Sequence, residues 1–210
     1  MHGLINRSIQ CFICDTHGAD AWQDIARAAG LGFDRFEAML EYDDALTYAV
    51  LDAAAERLSR PREMLMEDLG TFLVTNQRHT APRRLLRFCG LTFIDFLHSL
   101  DDLHDRARLA VPELELPRLE LVGYRETGDF SLYCRWRNPG FGHVMIGILR
   151  AMADDYGALV FLEHMGTEGC CERISIRLLE AAFSEGRHFS LSQGFRPGSE
   201  RGPAQVEIAG

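Results

Sequence analysis

Through the first half of the chain, apolar residues recur at the three- and four-residue steps of helices. Leu4, Ile5, Ile9, Phe12 and Ile13 share one helical face at the start, and Asp20 to Ala29 reads as a short helix stopped by Gly30 and Gly32. Asp34 to Leu40 continues the helical run. Asp43 or Asp44 then caps a stronger helix through Leu58, striped by Leu46, Val50, Ala53, Ala54 and Leu58. Pro61 suits the first turn of the next helix, whose core face is Met64, Leu65, Leu69, Phe72 and Leu73. A polar loop from Thr75 to Pro82 and a short segment from Arg83 to Cys89 come next. The periodicity then predicts one amphipathic helix from Thr92 to Arg108. Phe93, Phe96, Leu97, Leu100, His104 and Ala107 form its buried stripe, and Asp95, His98, Asp101, Asp102, Asp105 and Arg108 lie mostly opposite.

After Pro117 the period shortens to two. Strands are predicted from Arg118 to Tyr124 and from Phe130 to Trp136, joined by a turn at Thr127-Gly128-Asp129. A helix runs from His143 to Tyr156, closed by Gly157. Two more strands, Ala158 to Met165 and Glu172 to Leu179, flank a turn. The order ββαββ predicts an α+β fold. A helical N-terminal subdomain (about 1–110) precedes an α/β subdomain (about 111–182) with a four-stranded antiparallel sheet. Residues 183–210 read as a flexible C-terminal tail that buries little. The junction between the halves is a natural ligand site.

A chain of 210 residues with 47% hydrophobic and 25% charged residues is a globular profile. The formal charge of −9 argues against nucleic acid and anionic membrane surfaces as partners. No apolar run is long enough to span a bilayer, and the opening MHGLINRSIQCF is not a secretory signal, so the expected location is cytoplasmic. Six cysteines in such a chain read as reduced thiols. Cys11 and Cys14 form a C-x-x-C without a second pair at zinc spacing, which favours two small helix residues over a metal site.

The candidate chemistry centres on His104. An imidazole on an apolar face needs a hydrogen bond or a metal. Either a core histidine bonded to a backbone carbonyl or an axial ligand to an iron porphyrin satisfies that need. Enzymatic signatures are missing: there is no G-x-S-x-G, P-loop or H-E-x-x-H, so the chain is expected not to be an enzyme.

Several segments resemble, in order, the haem nitric oxide/oxygen binding (H-NOX) family related to the haem sensor of soluble guanylate cyclase. MHGLIN resembles the family's opening, and GLTFIDFLHSLDDLH its proximal helix, whose last histidine is here His104. Pro117 stands thirteen residues on. Tyr133-Cys134-Arg135-Trp136-Arg137 occupies the place of the family's Tyr-x-Ser-x-Arg, with Arg135 replacing the serine and one extra residue before Gly140. GFGHVMIGILRAMADDYG resembles the family helix with its glycine, here Gly147, and EHMGTEGCCERISI the closing hairpin.

The resemblance covers about residues 1–180 and implies a haem b pocket between the two halves. It implies that His104 is the proximal iron ligand, that Ile5 and Pro117 press on the porphyrin, and that Tyr133, Arg135 and Arg137 hold the propionates. Period two places those three on one strand face, and an arginine suits a carboxylate well. Register on Gly147 puts Val144 at the distal position, with Ile148 beside it. Lacking a donor, this lining implies binding of NO and CO rather than O₂. The expected function is gas sensing coupled to a separate signalling enzyme, such as a histidine kinase or a diguanylate cyclase. Two other readings stay open: a haem-free small-molecule or protein-binding module on the same fold, and a zinc or thiol switch at Cys170 and Cys171 with His164 and Cys134. Adjacent cysteines make poor joint zinc ligands, and without Cys134 the set is one sulfur short of three cysteines and a histidine.

Overall fold

The computed structural model describes residues 1–76, 86, 90–124 and 127–181. The segment Arg83 to Cys89 (apart from Leu86), most of the preceding loop and the tail 183–210 lie outside the described residues.

Four helices open the chain: α1 (Gly3–His17), α2 (Ala19–Ala28), α3 (Asp44–Leu58) and α4 (Arg62–Thr75). Local chemistry sets their ends. The His2 ring accepts the Leu4 N–H at the start of α1, and Asp43 accepts the Ala45 N–H at the start of α3. Their apolar faces meet in one core that includes Ile9, Phe12, Ile13, Trp22, Ile25, Val50, Leu51, Leu65 and Leu69. The segment 30–43, expected to be helical through Asp34 to Leu40, is instead irregular. Polar side chains of the helices pin it: Gln10 accepts the Phe36 N–H at 3.1 Å, and the Trp22 indole donates to the Asp34 carbonyl at 2.8 Å. Phe36 is thereby buried against Phe33 and Tyr42.

The predicted single helix from Thr92 to Arg108 is broken. It divides into α5 (Phe93–His98), a 3₁₀ turn (Ser99–Asp102) and α6 (Leu103–Ala110). Thr92 and Asp95 close a reciprocal capping box at the start of α5. The Ser99 hydroxyl donates to the Phe96 carbonyl, and Asp101 accepts the Leu121 N–H of the first strand at 2.8 Å. Tightening from 3.6 to about 3.0 residues per turn rotates α6 about its axis relative to α5. Leu100, Leu103 and Ala107 are buried, while His104 is half-buried.

Strands β1 (Arg118–Tyr124), β2 (Asp129–Arg135), β3 (Leu159–Glu168) and β4 (Cys171–Glu180) form an antiparallel sheet in the order β1-β2-β4-β3. Helix α7 (Phe141–Tyr156) connects β2 to β3. Phe130, Leu132, Cys134, Ile174 and Ile176 are buried in the common core with Met145, Leu149 and Met152 of α7. The alternate residues, including Arg135, Arg173 and Arg177, are exposed on the other face. Among the described residues, no helix is long and apolar enough to cross a membrane.

Candidate functional site

His104 sits in the first turn of α6, and its ring reaches the end of the loop that leads into β1. Its Nδ1 lies 2.7 Å from the Leu116 carbonyl oxygen. A carbonyl can only accept, so Nδ1–H donates and the lone pair is on Nε2. Nε2 has no hydrogen-bond partner among the described residues. This is the state in which metal-ligating histidines are held, with one ring nitrogen fixed by a carbonyl and the other presented as a ligand. The Leu116 carbonyl is the partner that the core-histidine reading requires, and the open Nε2 is what the ligand reading requires, so the arrangement satisfies both. Pro117, next to Leu116, is buried.

At the seam between the halves lies a cavity of about 150 Å³. Ile5 of α1 and Arg137, just past β2, both line it, together with Glu113, Glu115 and Trp136. At about 150 Å³ the cavity is smaller than the roughly 300–1,000 Å³ of pockets that enclose a sizeable ligand, so it does not enclose a whole porphyrin. Arg137 Nη2 lies 3.7 Å from a Glu115 carboxylate oxygen, and Arg137 Nε lies 4.0 Å from one of Asp44. Asp44 also binds the Met1 amino group at 2.6 Å. That amino group, ahead of Arg137 and Asn138, holds the Asp44 carboxyl below the usual range against partial burial. The cavity wall is therefore a set of charges in which Arg137 is the cation available to a carboxylate.

The expected face-sharing of Tyr133, Arg135 and Arg137 is met only in part. Tyr133 and Arg135 stand on the open face of the sheet, with the Arg135 guanidinium 6.0 Å from the Tyr133 ring centre and 3.3 Å from Glu120. Strand β2 ends at Arg135, so period two does not extend to Arg137. The structure thus joins Ile5 to Arg137, and His104 to the loop of Pro117. Tyr133 and Arg135 form a separate pair. Val144 and Ile148 are buried on α7, where α7 crosses α4 at very close range, and they are not among the residues lining the Ile5–Arg137 cavity.

Sequence reasoning missed Glu172. It is buried on β4, and one of its oxygens accepts the N–H groups of Gly140 and Gly142 at 3.1 and 3.0 Å, capping α7. Its other oxygen accepts from His164 Nε2 at 3.2 Å, and the His164 ring stacks on His143 at 4.3 Å. A signal was present: Glu172, Ile174 and Ile176 alternate in phase, which places a carboxylate on the core face. His143, next to Val144 on α7, stacks on His164 while its Nδ1 lies 3.6 Å from a Glu67 carboxylate oxygen.

Among the described residues, no group of three or more His, Cys, Asp or Glu side chains is placed to hold a metal ion. Burial, reinforced by the charges of Glu172 and Cys171, pushes the Cys134 thiol up to about 12, and burial also raises Cys11 and Cys14. Cys170 is exposed. Among the described cysteines, a thiol-modifying reagent at about pH 8 is accordingly expected to label Cys170 first and Cys134 only on unfolding, read by peptide mass spectrometry. Labelling of Cys134 in the native protein would contradict its placement.

The haem-NO-binding family model matches residues 2–164. Soluble guanylate cyclase gcy-31 of Caenorhabditis elegans is 27% identical over 155 residues, covering 74% of this chain and 22% of the cyclase. Soluble guanylate cyclase 89Da of Drosophila melanogaster is 23% identical over 159 residues, covering 76% of this chain and 24% of its own length. These matches thus span less than a quarter of either cyclase. An Fe(II) unliganded H-NOX protein variant from K. algicida superposes with a TM-score of 0.72 at 16% identity, over 86% of this chain and 97% of that one. An H-NOX protein from S. oneidensis in the Fe(II)NO ligation state gives 0.69 at 16%, over 86% and 100%. At such identities the likeness establishes the fold.

Proposed function

Because this chain belongs to the haem-NO-binding family, we propose that it is a haem-based gas sensor whose iron is held by His104. The observation that carries this reading is the single hydrogen bond from His104 Nδ1 to Leu116, which orients the ring and leaves Nε2 free to coordinate. When bound, haem b supplies an iron centre able to take up NO or CO.

The chain's own residues do the rest. His104 sets the ring orientation through Leu116. Ile5 and Pro117 shape the pocket from opposite halves of the molecule. Arg137 offers a guanidinium to a propionate from the cavity wall, whereas Tyr133 and Arg135, the further clamp members that the resemblance implies, pair with each other on the open face of the sheet. Val144 and Ile148 present carbon only, so the distal side has no donor for the partial charge on bound O₂, which favours NO and CO. The sensor domain is residues 1–182. A change at His104 reaches the sheet through Asp101, which is bonded to the β1 backbone, and from there a separate partner in the cytoplasm, such as a histidine kinase or a diguanylate cyclase. The chain itself acts as sensor and not as catalyst, without nucleic-acid or membrane contacts.

The absorption spectrum of the reduced, haem-reconstituted protein tests this. A Soret band that moves on adding NO supports the sensor. Protein that stays colourless after reconstitution supports instead a haem-free binding module on the same fold.

A further inference from the structure

Arg137 already faces two carboxylates of its own chain. Asp44 is also committed to the Met1 amino group at 2.6 Å, whereas Glu115 has no ion-pair partner other than Arg137 among the described residues. Arg137 and Glu115 are both well exposed, at 64% and 71%. Their separation of 3.7 Å is too long for a direct hydrogen bond. Such a pair is weak and readily exchanged. A haem propionate is a carboxylate of the same charge and shape as the Glu115 head group, and it would meet the same planar donor.

We propose that Glu115 is an internal competitor for the propionate site on Arg137, so that haem affinity is set by the exchange of one carboxylate for another. This rests on the haem-binding reading above. The exchange conserves charge: the guanidinium gives up Glu115, which turns to solvent, and gains a propionate. Glu113 lines the same cavity and carries the same charge, but it makes no ion pair with Arg137 among the described residues. It therefore separates competition for one cation from a general relief of negative charge.

The test is haem dissociation from the full chain, followed by transfer to excess apomyoglobin. Glu115→Gln is expected to hold haem about three- to fivefold tighter, the range open to an exposed ion pair. Glu113→Gln should stay within about 1.5-fold of wild type, since it breaks no such pair. In an Arg137→Gln background, Glu115→Gln should have no effect, because the contested cation is gone. Equal gains from both glutamate variants, or a flat response to Glu115→Gln in protein that binds haem, would overturn the inference. If neither wild type nor any variant takes up haem, the sensor reading itself fails and takes the inference with it.

Discussion

His104→Gly is expected to leave reduced, haem-reconstituted protein unable to retain its Soret band, and millimolar imidazole is expected to restore it. The expectation comes from where the ring's two nitrogens go. Nδ1 is fixed on the Leu116 carbonyl at 2.7 Å, which leaves Nε2 open for coordination. His98 is exposed and lies against Phe130 with 6.2 Å between ring centres, and His143 is stacked on His164. Loss of an outer partner of a metal-bound histidine costs roughly 10- to 100-fold in metal affinity, and loss of the ligand itself should exceed that. Because His104 is half-buried in the first turn of α6, its replacement by glycine forfeits one hydrogen bond, about 1 kcal/mol, and at most about 1 kcal/mol of helix propensity. The variant should therefore fold, which circular dichroism checks. His98→Gly makes the same chemical change and should keep its colour. If His104→Gly holds haem as well as wild type without imidazole, the ligand assignment is wrong.

How far the sequence foretold this arrangement depended on whether local or distant partners decided each feature. The two halves, the ββαββ order and the buried stripe of Phe93, Phe96, Leu97 and Leu100 are set by periodicity, which depends only on near neighbours. The break at Ser99–Asp102 is not, because Asp101 is pulled onto the Leu121 N–H twenty residues away. The irregular 30–43 segment owes its shape to Gln10 and Trp22, which no local pattern reveals. Within the candidate site, His104 and Arg137 were legible as residue types in order along the chain. The division of the clamp was not, since it turns on the strand ending at Arg135. Glu172 was written in the alternation of β4, but a carboxylate in a core phase is easily read as a register error until the N–H groups it caps are seen.

Gly147→Ala is expected to lower the thermal midpoint by about 6–12 °C, equivalent to about 3 kcal/mol in a domain of this size. A Cβ on Gly147 would sit 1.9 Å from the Glu67 carbonyl oxygen and 2.8 Å from the Thr71 nitrogen, both backbone atoms of α4. The contact is reciprocal: a Cβ on Gly70 of α4 would sit 2.0 Å from the Val144 carbonyl oxygen of α7. Side chains can rotate away from an added methyl, but two helix backbones cannot, so the whole crossing must open. Alanine's helix propensity returns only about 1 kcal/mol of that cost. The Thr71 hydroxyl bond to the Gly147 carbonyl, 3.3 Å long, would stretch as well. Val144 and Ile148 ride on the same helix and move with it. Thermal unfolding by circular dichroism provides the measurement. A midpoint within about 2 °C of wild type would mean that α4 and α7 do not approach this closely in solution.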